Sequence, residues 1–325
     1  MWLFDTTYIL ALVGVILLLA GGESLVRGTV GISRRLNISL LFVSLVTISI
    51  GTSVPELAVS LDAALMKKPD IALGNVVGSN IANILLVLGG SALIRPLVFN
   101  RKAIKFDSMV MIAVSLVFFT LAWLDSLPSW IGGVFIATLA TFIIISYRAK
   151  KVAPATSPER LYHEREASKC DDTSGMSHFI TLTLVGIVGV VLGAWIFVDS
   201  AVIIARDLGV SEAAIGLTMV AVGTSLPELV TALIAAYRKE TDVIIGNVIG
   251  SNIFNVLGVL GATLLVTAQG LSPDNFFDDI IIFLLVTLAV APFLLFFGRI
   301  RFLVGVAFLT SYVAYVDWIY QRGSL

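Results

Sequence analysis

The chain is short of charge, cysteine and histidine, and each shortage closes off a class of function. Charged residues fill 13% of its 325 positions against 58% hydrophobic ones. The mean hydropathy of +1.01 lies outside the range of soluble globular domains. A single cysteine, Cys170, excludes a disulfide framework and a thiolate metal site. The only histidines, His163 and His178, lie in or beside the same polar stretch as that cysteine. A net charge of −1 without a basic cluster gives nucleic acid nothing to bind. The first apolar run, 8–26, lacks the basic start and small-residue cleavage site of a signal peptide, so it reads as a retained span.

What the chain has in abundance is long apolar runs, each near the roughly 20 residues that cross a hydrocarbon core. Ten are expected, at 8–26, 38–66, 71–94, 104–124, 127–148, 179–205, 211–237, 243–266, 279–298 and 301–320. The one long polar segment, 149–177, carries Pro154, Pro158 and mixed charges, and reads as a linker between two halves. Arg27, Arg34, Arg35, Arg95, Arg101, Lys102 and Lys105 fall on one side with the linker, Arg238, Lys239, Arg299 and Arg301. The opposite side keeps Lys67, Lys68, Arg206 and Arg322. The positive-inside rule then places both termini outside the cell membrane and the linker in the cytoplasm. Five spans per half is an odd number, so the second half enters the bilayer inverted. The fold class expected is an all-α membrane protein of ten transmembrane helices in two inverted five-helix repeats, 1–148 and 178–325. Such repeats mark transporters, with the substrate site at mid-membrane between the halves.

One stretch occurs twice. Gly51–Leu57 reads G-T-S-V-P-E-L and Gly74–Asn83 reads G-N-V-V-G-S-N-I-A-N; Gly223–Leu229 and Gly246–Asn255 repeat them at one constant offset. Ser49, Thr52, Ser53 and Glu56 share a helical face, as do Ala221, Thr224, Ser225 and Glu228. Pro55 and Pro227 should break their helices and bare carbonyls near Gly51 and Gly223, and bared carbonyls at membrane depth commonly bind cations. The next span adds Asn75, Ser79 and Asn83 in the first copy, and Asn247, Ser251 and Asn255 in the second. All these ligands are oxygen, which suits hard cations such as calcium and sodium and not soft transition metals.

Amides and hydroxyls in membrane helices often only bond across helices or to their own turn. Asn75, Asn80, Asn247 and Asn252 are as readily structural as functional on that ground. Glutamate differs, since an acid at the bilayer centre costs roughly 2.5–3.5 kcal/mol or more and is functional by default. Glu56 and Glu228 have no basic neighbour on their helices. Glu23 has Arg27 four residues on and is expected to pair with it. Asp199 is expected to be interfacial, and Asp70 and Asp242 to cap helices.

These residues resemble the alpha-repeats of the calcium/cation antiporter superfamily, the sodium/calcium exchangers, over Gly51–Gly89 and Gly223–Gly261. The resemblance implies that Glu56 and Glu228 are shared calcium and sodium carboxylates. It implies that Ser53, Ser79, Ser225 and Ser251 line flanking sodium sites. Backbone oxygens near Ser49, Thr52, Ala221 and Thr224 would contribute, with Asn83 and Asn255 at the centre. Some relatives, the potassium-dependent exchangers among them, carry aspartate where this chain has Asn255, which argues against potassium co-transport. The resemblance implies a secondary antiporter exchanging sodium for calcium by alternating access, with spans one and six sliding against the rest. A proton-coupled antiporter using the same glutamates is the alternative. A channel fits the inverted duplication less well. A hydrolase built on Ser53 or Ser225 would lack a His or Lys at membrane depth to activate the hydroxyl. No cofactor is expected beyond the transported ions, and the chain is expected to act as a monomer.

Overall fold

The computed structural model describes residues 2–125, 127–151, 174–209, 221–267, 270–273 and 276–323. Helix α1 is Trp2–Leu36. A broken helix follows, α2 over Leu40–Thr52 and α3 over Val54–Leu65, bent by 43°. Helix α4 runs through Pro69–Ala82, a π-helical turn at Asn83–Leu88, and Gly89–Ile94. A two-residue strand β1, Leu97–Val98, leads into α5, Arg101–Trp123. Helix α6 is Ser129–Lys151 and α7 is Met176–Asp207. The second broken helix is described as α8, Ala221–Thr224, and α9, Leu226–Tyr237. Helix α10 comprises Thr241–Phe254, a π-helical turn at Asn255–Leu260, and Gly261–Val266. Helix α11 spans Phe277–Pro292 and continues to Phe297; β2 is Arg299–Ile300; α12 is Phe302–Gly323.

Among the described residues, eight helices are long and apolar enough to cross a bilayer, and the α2–α3 pair makes a ninth. The expected span 211–237 is seen only from Ala221, because 210–220 lie outside the described residues, as do 152–173 of the linker with His163 and Cys170. The count therefore stops short of ten. Strands β1 and β2 qualify the all-α expectation by one short antiparallel ladder, Leu97 with Ile300 and Val98 with Arg299. Helix α1 also extends well past the expected 8–26, since basic side chains such as Arg27 and Arg34 are good helix formers outside the hydrocarbon. Its outer face carries exposed Ile9, Leu12, Ile16 and Leu19, and α7 carries Leu184, Val185, Val188, Leu192 and Trp195. Exposed apolar faces of this extent suit contact with lipid.

The duplicated sequence yields duplicated backbone. At the offset that takes Glu56 to Glu228, α3 falls on α9, and the three parts of α4 fall on the three parts of α10. The breaks correspond too, with Ser53 at φ −89°, ψ 11° and Ser225 at φ −89°, ψ 4°. Lys67 and Lys239, also at that offset, both adopt the left-handed conformation just after their helices.

Helices α1 and α7 touch backbone to backbone along an antiparallel seam. A Cβ on Gly14 would meet Phe197, one on Gly21 would meet Gly189 and Val190, and one on Gly28 would meet Thr183, all within 3.0 Å. From the other side, Gly186 abuts Leu25 and Gly193 abuts Leu18. Gly14, Gly21 and Gly28 recur two helical turns apart, so one stripe of α1 is bare backbone, the small-residue device of close membrane helix packing. A further bridge joins Leu127 to Leu271, where Gly270, at φ 77°, lets the chain pass against the Leu127 carbonyl.

Two buried acids lie outside the repeated motif. Asp107 on α5 accepts from Ser146 Oγ of α6 at 3.2 Å. Asp279 on α11 accepts from Tyr315 Oη at 2.9 Å and Arg322 Nη1 at 3.2 Å, both on α12. They stand at the same offset as the glutamates, so each half uses one acid to fasten its last two helices.

Candidate cation site

Each proline lies in the first turn of the helix that restarts after the break, where its missing N–H costs nothing. Glu56 and Glu228 also sit in those first turns, where the helix dipole favours negative charge. Both carboxylates are fully buried. Their two helix breaks meet, as a contact of Ser53 shows. Ser53, at the first break, donates its hydroxyl to Glu228 Oε1 at 3.0 Å. The first copy's serine thus reaches the second copy's acid.

A second crossing lies one layer away. Asn255 Nδ2 donates to Ser79 Oγ at 3.1 Å, joining the π-helical turn of α10 to α4. Asn83 and Asn255 each begin such a turn, a local widening that often marks functional positions. Ser251 Oγ donates to Asn247 Oδ1 at 3.3 Å. Ser49 Oγ turns across to the Asn247 carbonyl at 3.0 Å, and Thr52 Oγ1 bonds the Ile48 carbonyl at 2.9 Å. These two hydroxyls are held by backbone. Thr224 is half-buried, and of Ala221 only the backbone is described.

Ser53, Glu56, Ser79, Asn83, Ser225, Glu228, Ser251 and Asn255 are all buried, and the fold joins Ser53 to Glu228 and Ser79 to Asn255 across the copies. Several of their atoms find no hydrogen-bond partner: both oxygens of Glu56, Oε2 of Glu228, Oγ of Ser225, both amide atoms of Asn83, and Oδ1 of Asn255. A fully buried carboxylate with no hydrogen-bond donor is expensive unless a cation or proton answers it. The six oxygens among these unpartnered atoms would suit a hard cation, which takes oxygen ligands in adaptable number. Among the described residues no three His, Cys, Asp or Glu side chains cluster, so formal charge at this site comes from the two glutamates.

The remaining expectations divide. Glu23 pairs with Arg27 and also, across the repeats, with Arg238. Asp199 is exposed. Asp70 and Asp242 lie in the first turns of α4 and α10 without acting as the N-cap itself. Asn80 and Asn252 bond back to the Val76 and Val248 carbonyls of their own helices at 2.6 and 2.8 Å, the structural role. Asn75 instead reaches out to α3, bonding the Glu56 carbonyl and Ser60. Sequence reading missed Ser60, the glycine seam and the acids Asp107 and Asp279. The offset pairing those acids was visible, but each stands near the start of an apolar run, where a charged residue attracts no notice.

Comparison with known proteins agrees with this geometry. The sodium/calcium exchanger protein family matches residues 6–148 and 178–321. The chain is 36% identical to the putative antiporter CaxA of Alkalimonas amylolytica, over 90% of its own length and 91% of the relative's. It is 28% identical to the sodium/calcium exchanger MaX1 of Methanosarcina acetivorans, over 97% and 98%. Among solved structures it superposes on the sodium-calcium exchanger NCX_Mj with a TM-score of 0.81 at 30% identity, over 96% of this chain and 98% of that one. Buried, paired carboxylates at two duplicated helix breaks and a match across both halves lead to one conclusion: this multi-pass membrane protein belongs to the sodium/calcium exchanger family.

Proposed function

We propose that the protein is a secondary antiporter that exchanges sodium for calcium across the cell membrane by alternating access. The observation that carries this reading is the pair Glu56 and Glu228, fully buried with three carboxylate oxygens lacking any hydrogen-bond partner. Two like charges at close quarters in a low-dielectric site need a counter-charge. One Ca²⁺, or sodium ions in its place, supplies it; the bare site resists closure. That requirement makes exchange obligatory rather than leaky. In this reading Ser53, Ser79, Ser225 and Ser251 give hydroxyl oxygens to sodium. Asn83 and Asn255 give amide oxygens, and the chain near Ser49, Thr52, Ala221 and Thr224 gives carbonyls. The relatives named as exchangers and antiporters support transport of this class rather than enzyme chemistry.

The architecture proposed is two inverted repeats, 1–148 and 178–325, joined by a cytoplasmic linker with both termini outside. The bridges support it: the offset that relates the halves carries the Leu127–Leu271 pair onto Arg299 and Phe99, beside the Val98–Arg299 rung of the β1–β2 ladder. These pairs lie at opposite ends of α5 and α11, as an axis in the membrane plane requires. The Leu97–Ile300 end also gathers Arg95, Arg101, Lys102, Arg299 and Arg301, as a cytoplasmic face should. The deciding experiment is calcium uptake into proteoliposomes driven by an outward sodium gradient or an outward proton gradient. Uptake with sodium and none with protons is expected. Uptake driven by protons alone would replace sodium as the coupling ion, and no uptake with either would end the antiport reading.

A further inference from the structure

At the position of Ser60 the two copies of the site differ by a buried hydroxyl. Asn75 Nδ2 donates to the Glu56 carbonyl at 3.0 Å and to Ser60 Oγ at 2.9 Å. A backbone carbonyl only accepts, so the amide nitrogen must face α3. The amide oxygen then faces the second copy, where Thr224 Oγ1 stands 3.5 Å away, at the long end of hydrogen bonding. Asn75 thus spans from the residue bearing one carboxylate to the residue before the other copy's break. In the second copy Ala232 occupies the position of Ser60. There Asn247 Nδ2 is buried with no acceptor, and its Oδ1 is taken by Ser251. The same amide is anchored in one half and loose in the other.

We infer that Ser60 is a positioning residue for cation binding: its hydroxyl locks the Asn75 amide so that α3 and α8 meet across the site at a fixed spacing, a constraint the second half lacks. Ser60 is fully buried and acts through Asn75, without being placed among the cation ligands. Losing it frees the amide to rotate. The site must then be ordered at the expense of cation affinity, while the later conformational step is untouched. The two halves of the duplication are on this account unequal partners, with the Glu56 side held more rigidly than the Glu228 side.

The inference rests on the antiport reading. Its test is a double-mutant cycle in reconstituted vesicles, using calcium uptake driven by whichever coupling ion drives the wild type. Ser60→Ala should raise the KM for calcium about fivefold, the scale of one lost neutral hydrogen bond, with kcat changed less than twofold. Asn75→Ala should raise it at least as much. The double variant should match Asn75→Ala alone, because without the amide the hydroxyl has nothing to position. Additive effects, or an unchanged KM in Ser60→Ala, would overturn the role assigned to Ser60. If Ser60→Ala melts too low to reconstitute, Ser60→Cys keeps the volume and weakens the bond, and the same cycle decides. A wild type inert toward calcium under every gradient would remove both readings, and that result is read before any variant is made.

Discussion

Replacing Gly186 by alanine tests the seam between α1 and α7. The added methyl would fall 2.4 Å from the Leu25 nitrogen, 2.6 Å from its Cα and 2.7 Å from its Cβ. The first two are backbone atoms of a continuous helix, so no side chain can rotate away. Ordinary contact between such atoms begins near 3.5 Å, so α7 must retreat by about 1 Å. Overpacking of this kind costs about 1–3 kcal/mol. Alanine returns at most about 1 kcal/mol as a better helix former, leaving a net loss of up to about 2 kcal/mol from the overpacking range. The loss should matter because membrane helices associate largely through such close contact. Gly133→Ala is the control: Gly133 is exposed, and its Cβ would meet only Leu265 Cδ2, at 4.0 Å. That variant should be neutral or more stable by about 0.5–1 kcal/mol. Thermal melting of the two purified variants in one detergent gives the comparison, with calcium exchange measured in parallel. If Gly186→Ala melts level with Gly133→Ala or above it, the seam does not hold the two helices together as described.

Glu56→Gln and Glu228→Gln should each abolish calcium flux in vesicles while melting like folded protein, because an amide supplies oxygen without charge; near-normal flux in either would refute the site. Alanine at Ser53, Ser79, Ser225 or Ser251 should raise the sodium concentration that half-saturates exchange more than it weakens calcium binding, measured separately by flux and by isotope binding. Wild-type exchange should need no potassium, and Asn255→Asp should become more pH-sensitive as a third acid joins two buried ones; flux with and without potassium across a pH series checks both halves. Cysteine tags at Lys150 and at the C-terminus should label from opposite sides of the membrane, and labelling from one side would refute the inverted arrangement.

The site was legible because polar residues are conspicuous in a greasy sequence and because they occur twice. Pro55 and Pro227 announced the breaks through a missing donor, and the breaks are there at Ser53 and Ser225. The π-helical turns at Asn83 and Asn255 were not legible, since Asn-Ile-Leu-Leu and Asn-Val-Leu-Gly follow no helix-breaking rule. Helix ends were misread where charge was taken for a boundary, as at Arg27 in α1. The crossing from Ser53 to Glu228 is a tertiary fact. Spacing within one helix places Ser53 beside Glu56, and only the docking of the copies shows which carboxylate it serves.

The strand pairs limit how the molecule can work as a machine. Helices α5 and α11 run antiparallel and are stitched at one end by Leu97 with Ile300 and at the other by Leu127 with Leu271. Shear along their length would break the backbone bonds of both stitches at once. Asp107 and Asp279 fasten the neighbouring helices α6 and α12 to the same frame. Among the described residues the α1–α7 pair shows no such strand pairing; its glycine stripe binds the two helices to each other, and Glu23–Arg238 is a surface ion pair of small strength. On the antiport reading, the frame would serve as the stator and the paired long helices would be the part left to move.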